Sequence, residues 1–161
     1  MFTPLLPSSA VGTLECRVIQ EPIRAHLGQY GSYVQAKART LDPVNKKIIC
    51  EAAFANQIFE LEYDKLVIAV GVKTNTFGIE SIRDDERKGE NVFFLKQLWH
   101  SRAIRKNIID SFEKASLPDI SSAERRRLLS FLVVGGGPTS CEFTAELHGE
   151  CLLSWPQKRT L

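Results

Sequence analysis

The chain has 161 residues, of which 43% are hydrophobic and 25% charged, a composition typical of globular proteins and not of disordered segments. Its 21 basic and 19 acidic residues nearly balance, which gives no reason to expect nucleic acid as a partner. The four cysteines lack metal-ligand or C-x-x-C spacing, so we expect no metal site and reduced thiols, and no apolar run approaches the roughly 18 residues of a membrane span.

The first 12 residues are apolar and interrupted by Pro4 and Pro7. These prolines exclude a regular helix interior or a central strand. An apolar segment of this kind needs a cover, so we expect either that it lines a ligand or that the piece that covered it is missing.

An antiparallel meander is predicted in the next third of the chain. Apolar residues at helical spacing predict a short helix over 15–27. Alternating residues over 33–40, a turn at 42–45 and a second run over 46–50 predict a hairpin, which a third strand at 58–61 extends.

The run LVIAV at 66–70 is typical of a strand buried on both faces of a sheet. It ends at Gly71, which would let a ligand or another backbone approach closely. The alternative is a core strand that ends in an ordinary glycine turn.

A long amphipathic helix is predicted over 94–115, after loop-like residues 72–92 that carry a charged tip at 84–88. Its basic and acidic residues are interpreted as a solvated face. Leu117-Pro118 closes this helix, and Ser121 or Ser122 is expected to cap a short turn beyond it.

The apolar run 128–134 stops at three glycines and a helical pattern follows at once. Strand, glycine turn and helix is the arrangement that binds the pyrophosphate of a dinucleotide. Gly135 and Gly137 fill the first two glycine positions, Ser140 the third, and Pro138 suits the first helical position. Alone, the pattern also fits a tight turn in another α/β protein.

Two carboxylates, Glu142 and Glu146, lie four residues apart on the helix that follows the glycines. Their spacing predicts one helical face, which is either a solvated acidic stripe or part of a nucleotide site.

Together these stretches resemble the type II, non-proton-pumping NADH:quinone oxidoreductases of the fungal mitochondrial kind. The resemblance covers residues 1 to about 148 and includes FTPLLPSSAVGTLE, YDKLVIAVGVKTNTFGI and RRRLLSFLVVGGGPTSCEF. It implies an α/β flavoprotein with two dinucleotide-binding domains, FAD and NADH as cofactors, ubiquinone as the electron acceptor, and a peripheral place on the mitochondrial inner membrane, with a homodimer as the full-length state.

The resemblance also assigns residues. Thr3, Pro4 and Leu5 would lie beside the flavin ring, Ala38 would meet the adenine, and Ala69, Val70 and Gly71 would approach the FAD. Gly135, Gly136, Gly137, Pro138 and Thr139 would form the NADH phosphate turn, and Glu142 would lie near the nicotinamide as a nucleotide-binding or catalytic residue.

The chain also departs from the family pattern. The FAD glycine fingerprint is expected ahead of residue 1, the acidic ribose ligand is expected beyond the glycine turn, and Gly149 and Pro156 are expected to interrupt the last helix. We therefore expect an internal fragment with an incomplete Rossmann-like FAD domain. Residues 1–95 would be the C-terminal portion of the first FAD-binding segment, 96–148 the long helix and start of the NAD(P)H domain, and 149–161 a divergent tail.

Three functions remain open from the sequence. The first is a fragment of an NADH:ubiquinone oxidoreductase, and the second is a flavin reductase that passes electrons to a protein or a disulfide. The third is a truncated, non-catalytic product that only binds a nucleotide or a partner. The missing C-x-x-C pair argues against disulfide reduction.

Overall fold

The computed structural model describes residues 1–80, 82 and 91–154. The chain forms two compact units, residues 1–21 with 74–161 and residues 22–73, and each is described by itself. The elements are a 3-10 helix at Thr3–Leu5, the strands β1 (Ala36–Asp42), β2 (Lys47–Ala52) and β3 (Ile58–Glu62), and the helices α1 (Leu6–Val11), α2 (Ile23–Leu27), α3 (Leu98–Ala115), α4 (Ser122–Leu128) and α5 (Pro138–Ser154).

The first unit is built around α1. Both prolines of the apolar N-terminal segment lie in the first turn of a helix, where a missing N–H costs nothing. α1 contacts both α3 and α5, and the buried core consists of Ala10, Val11, Ile104, Ile108 and Leu147. Helices of the same chain thus cover α1, and the expectation that its cover is a ligand or is missing was wrong for this helix.

The long helix α3 confirms the amphipathic prediction but begins at Leu98, four positions later than expected. Its start is fixed by the imidazole of His100, whose Nδ1 accepts the backbone N–H of Gln97 at 2.9 Å. Of the two serines proposed as a cap, Ser121 caps α4, since its Oγ accepts the N–H of Glu124 at 3.1 Å.

The second unit contains the predicted meander, with the strands in the order β1-β2-β3. Both pairings are antiparallel, Ala38 lies opposite Cys50, and the register shifts between Ala38 and Thr40. The helix predicted over 15–27 was too long, because only Ile23–Leu27 is helical; Pro22 stands at its N-cap and restricts the residue before it.

The strand predictions for 66–70 and 128–134 were wrong. Residues 66–70 and 129–134 have no strand conformation and Leu128 ends α4, and Val67 and Leu132 are 86% and 89% exposed. Strands of this composition need hydrogen-bonded neighbours and a cover on both faces, and within the described residues β1–β3 are the only strands and pair with one another.

The interruption expected at Gly149 was also wrong, since α5 continues through it to Ser154. A lone glycine inside a helix costs only about 1 kcal/mol relative to alanine, which the flanking turns tolerate. Pro156 and the charged tip at 84–88 lie outside the described residues. Of the helices described, none combines the length and the apolar character needed to cross a membrane.

Candidate functional site

The three glycines before α5 have different structural roles. Gly135 has a φ of +135°, a region that L-residues rarely adopt, and a Cβ there would lie 3.3 Å from the Ser140 hydroxyl oxygen. A Cβ at Gly136 or Gly137 would meet nothing within 4 Å. The backbone conformation therefore favours glycine at position 135. At Gly136 and Gly137 the space that a side chain would occupy is empty.

The helix after the glycines begins as the sequence predicts, with Pro138 as its first residue. The carbonyl of Gly137 accepts the Ser140 hydroxyl at 2.8 Å and the N–H of Cys141 at 3.1 Å. The first N–H groups of a helix have no intrahelical partner, and they carry the positive end of its dipole. This 17-residue helix, preceded by open glycine backbone, fits a phosphate group of a nucleotide.

The approach to the glycine turn is less complete. Residues 130–136 are irregular, and Val134 is 82% exposed just before the turn. In a dinucleotide-binding fold, the preceding strand holds the turn at the edge of a parallel sheet. Among the described residues, no strand of such a sheet precedes the glycine turn.

The two carboxylates of α5 have different environments. Glu142 is exposed and is the fifth residue of α5. Glu146 is half-buried and accepts hydrogen bonds from the hydroxyls of Ser8 at 2.8 Å and Thr13 at 2.7 Å. The interpretation of the pair as one solvated stripe was therefore wrong for Glu146.

Ser8 and Thr13 were not singled out from the sequence. The available signal was the position of Glu146, three residues after Phe143 and one before Leu147. Leu147 is in the core, with Phe143 packed against it. Glu146 therefore lies at the edge of the apolar face of α5. A partly buried carboxylate at such an edge needs hydrogen-bond donors from the element that packs against the face.

The residues assigned to FAD fall in both units. Thr3, Pro4 and Leu5 form the 3-10 helix in the first unit, immediately before the buried α1. The second unit contains Ala38 on β1 and the exposed residues Ala69, Val70 and Gly71, the last with a φ of +70°. The residues assigned to FAD are thus divided between the two units.

An open cavity of about 420 Å³ lies beside α3 in the first unit, away from the predicted site residues. Two of its cations are neutralised, since Arg105 pairs with Glu15 and Lys106 with Asp110. The hydrogen bond from Lys106 lowers the pKa of Asp110 below its ordinary value. Much of the charge that lines the cavity belongs to these two ion pairs. The cavity is therefore part of the solvated face predicted for α3.

Comparison with known proteins identifies the class. The profile of the pyridine nucleotide-disulphide oxidoreductase family matches residues 7–151, and the chain belongs to this family. The glycine turn and α5 as far as Cys151 lie within the matched region.

Individual relatives are more specific. The chain is 51% identical over 151 residues to the "Probable NADH dehydrogenase" of Dictyostelium discoideum, covering 92% of this chain and 32% of that one. It is 47% identical over 155 residues to the external alternative NAD(P)H-ubiquinone oxidoreductase B2, mitochondrial, of Arabidopsis thaliana, covering 91% and 25%. The external NADH-ubiquinone oxidoreductase 2, mitochondrial, of Saccharomyces cerevisiae is 41% identical over 153 residues, covering 92% and 27%.

The Arabidopsis and yeast relatives confirm the resemblance of this chain to the type II NADH:quinone oxidoreductases. The chain spans between a quarter and a third of the length of the relatives it matches. No solved structure matches it.

Proposed function

We propose that this chain is part of an FAD-dependent NADH:ubiquinone oxidoreductase, and that its glycine turn binds the pyrophosphate of NADH. The observation that carries the proposal is the open backbone of Gly136 and Gly137 at the start of a 17-residue helix. The names of the relatives support a pyridine nucleotide as donor and ubiquinone as acceptor.

In the complete protein, bound FAD would accept the hydride of NADH and supply electrons to ubiquinone without proton pumping. The cofactors carry this chemistry, and the protein supplies binding and geometry. Thr3, Pro4, Leu5, Ala38 and residues 69–71 contact the FAD. Residues 135–139 and Glu142 contact the NADH, and Glu142 has a catalytic role near the nicotinamide.

The organisation follows the same assignment. Residues 1–95 belong to the first FAD-binding segment, 96–148 begin the NAD(P)H-binding domain, and 149–161 form a divergent tail. The complete protein is a homodimer bound peripherally to the mitochondrial inner membrane. The mitochondrial names of the Arabidopsis and yeast relatives support the compartment.

An alternative is a nucleotide-binding segment without activity of its own. The observation in its favour is that residues 66–70 and 130–134 are mostly exposed and are not strands, so no described strand precedes Gly71 or Gly135 as part of a parallel sheet. On this basis the chain alone binds neither FAD nor NADH tightly.

The test is a chimera in which residues 1–151 replace the matching segment of the Saccharomyces cerevisiae relative. We expect the purified chimera to bind FAD and to oxidise NADH with a soluble ubiquinone analogue, while the 161-residue chain with added FAD does neither. A chimera that binds FAD but does not oxidise NADH would contradict the enzymatic proposal. Flavin absorbance and NADH oxidation by the chain alone would contradict the alternative.

A further inference from the structure

A single carboxylate joins the beginning of the chain to the helix that follows the glycine turn. Glu146, on α5, accepts the hydroxyl of Ser8 on Oε1 at 2.8 Å and the hydroxyl of Thr13 on Oε2 at 2.7 Å. Each oxygen thus has its own donor. Hydrogen bonds to an ionised acceptor are shorter and stronger than neutral ones.

The two donors lie on either side of the turn that ends α1. Gly12 stands at the C-cap of α1 with a φ of +112°, and its N–H donates to the carbonyl of Ser8. Because Ser8 precedes this turn and Thr13 follows it, the carboxylate of Glu146 fixes the position of the whole turn against α5. We call these three side chains the Glu146 clasp.

The clasp lies over the core of the first unit. Leu147, the next residue of α5, is buried with Ala10 and Val11 of α1. The apolar contacts hold α1 against α5 but are not directional, so α1 could slide along them. Two hydrogen bonds with fixed geometry determine where along α5 it lies.

The position of α1 along α5 matters because each helix begins next to a segment that is proposed to bind a cofactor. Thr3–Leu5 precede α1 directly, and the glycine turn precedes α5 directly. The proposed function places the flavin ring at the first and the NADH phosphates at the second. A shift between α1 and α5 would therefore change the distance between the two cofactors.

We propose that Glu146 is a positioning residue that sets the flavin-side segment Thr3–Leu5 relative to the NADH-binding helix α5. The inference deepens the proposed function and depends on it. Hydride transfer requires the reacting atoms to be held at close range, and displacements of about 1 Å can lower a rate about a hundredfold. Glu146 acts through α1 and does not touch the reacting atoms.

The contact itself is tested in the 161-residue chain by a double-mutant cycle between Glu146→Ala and the pair Ser8→Ala with Thr13→Val. Unfolding is followed in urea. Each set of substitutions should raise the unfolding equilibrium constant. In the combined variant we expect the increase to be smaller than the product of the two separate increases, by about fivefold or more. Independent effects, with a coupling below about twofold, would contradict the clasp.

A matched control is Glu113→Gln. Glu113 is an exposed carboxylate on α3, and its side chain makes no hydrogen bond or ion pair with the residues described. Hydrogen exchange of the backbone at residues 8–13 should accelerate about tenfold in Glu146→Ala and remain unchanged in the control. Equal exchange in both variants would contradict anchoring by Glu146.

Positioning is tested in the yeast chimera with Glu146→Gln and Glu146→Ala, with rates expressed per bound FAD. We expect kcat to fall about tenfold in Glu146→Ala and less in Glu146→Gln, which keeps one acceptor oxygen, while the KM for NADH changes less than twofold. A purely stabilising role would reduce the FAD-loaded fraction and leave kcat per FAD unchanged, which would overturn the inference. If the parent chimera bound FAD but did not oxidise NADH, the proposed function would fail, and the cycle and hydrogen exchange would still decide whether the clasp exists.

Discussion

Arg105 donates two N–H groups to Oε1 of Glu15, at 3.2 and 3.1 Å, and its side chain passes directly beside Gly12. The residues that follow α1 are therefore held from α3 as well as from α5. Gly12 lies between the contacts to α5 and the contact to α3. It has a φ of +112°, and a Cβ there would lie 3.3 Å from Nε of Arg105.

Gly12→Ala should therefore destabilise the chain by about 1–2 kcal/mol, through backbone strain and displacement of Arg105. Urea unfolding measures the loss. The matched control is Gly149→Ala, in the interior of α5 with nothing within 4 Å of the added Cβ, which should stabilise by about 0.5–1 kcal/mol. Destabilisation of the same size in both variants would contradict the role of the positive φ.

The glycine turn allows folding and binding to be separated. Gly135→Ala should destabilise the isolated chain by about 1–2 kcal/mol because Gly135 has a φ of +135°. Gly137→Ala should cost less, about 0.5–1 kcal/mol, as the loss of a glycine at the N-cap position. In the active chimera, however, Gly137→Ala should raise the KM for NADH about tenfold, since a methyl group would occupy the space of the phosphate. An unchanged KM would exclude this turn as the phosphate site.

The hairpin turn should respond to acid through Asp42. A hydrogen bond from the backbone of Asn45, followed by one from its side chain, lowers the pKa of Asp42 below its ordinary value of 3.8. A lowered pKa in the folded state means that the ionised carboxylate stabilises the turn above pH 3.8, and that this contribution is lost as the pH falls through the folded pKa.

The measurement is an NMR titration of the Val44 and Asn45 amides, both of which donate to Oδ1 of Asp42 at 3.0 Å. Their shifts should report a midpoint below 3.8 in the native chain, and the transition should be absent in Asp42→Asn. A midpoint at or above 3.8 would contradict the assignment of these hydrogen bonds.

Two cysteines on α5 should differ in reactivity. Cys141 is exposed and Cys151 half-buried, and burial, followed by the charge of Glu150, raises the pKa of Cys151 above its ordinary value of 9.0. At pH 8, iodoacetamide should modify Cys141 about tenfold faster than Cys151, because the thiolate is the reactive form. Mass spectrometry of the peptides measures both rates, and unfolding in urea should make them equal. Equal rates in the folded chain would contradict the burial of Cys151.

The elements that the sequence predicts correctly are those stabilised by contacts between residues close together in the chain. The β1–β3 meander needs only neighbouring residues, and its turn is fixed by Asp42. The helix α3 was visible from its apolar period, and the start of α5 from Gly137 and Pro138. The family, too, follows from the order of these stretches and is confirmed by its relatives.

What the sequence could not predict depends on contacts across the chain. The run at 66–70 has the composition of a buried strand, but composition does not supply the neighbours that a strand pairs with. Whether Glu146 is solvated or bonded depends on α1, more than 130 positions away, as the separation of Ser8 and Glu146 in the chain indicates. The proposed flavin residues depend on the same kind of long-range placement.

The runs at 66–70 and 130–134 have a consequence for the solubility of the isolated chain. Val67, Val70, Leu132 and Val134 are each at least 82% exposed, in uncharged, apolar stretches that belong to no described strand. Such segments are templates for intermolecular sheets. Aggregation therefore competes with folding for this polypeptide in isolation, and it will set the highest concentration at which its solution properties can be measured.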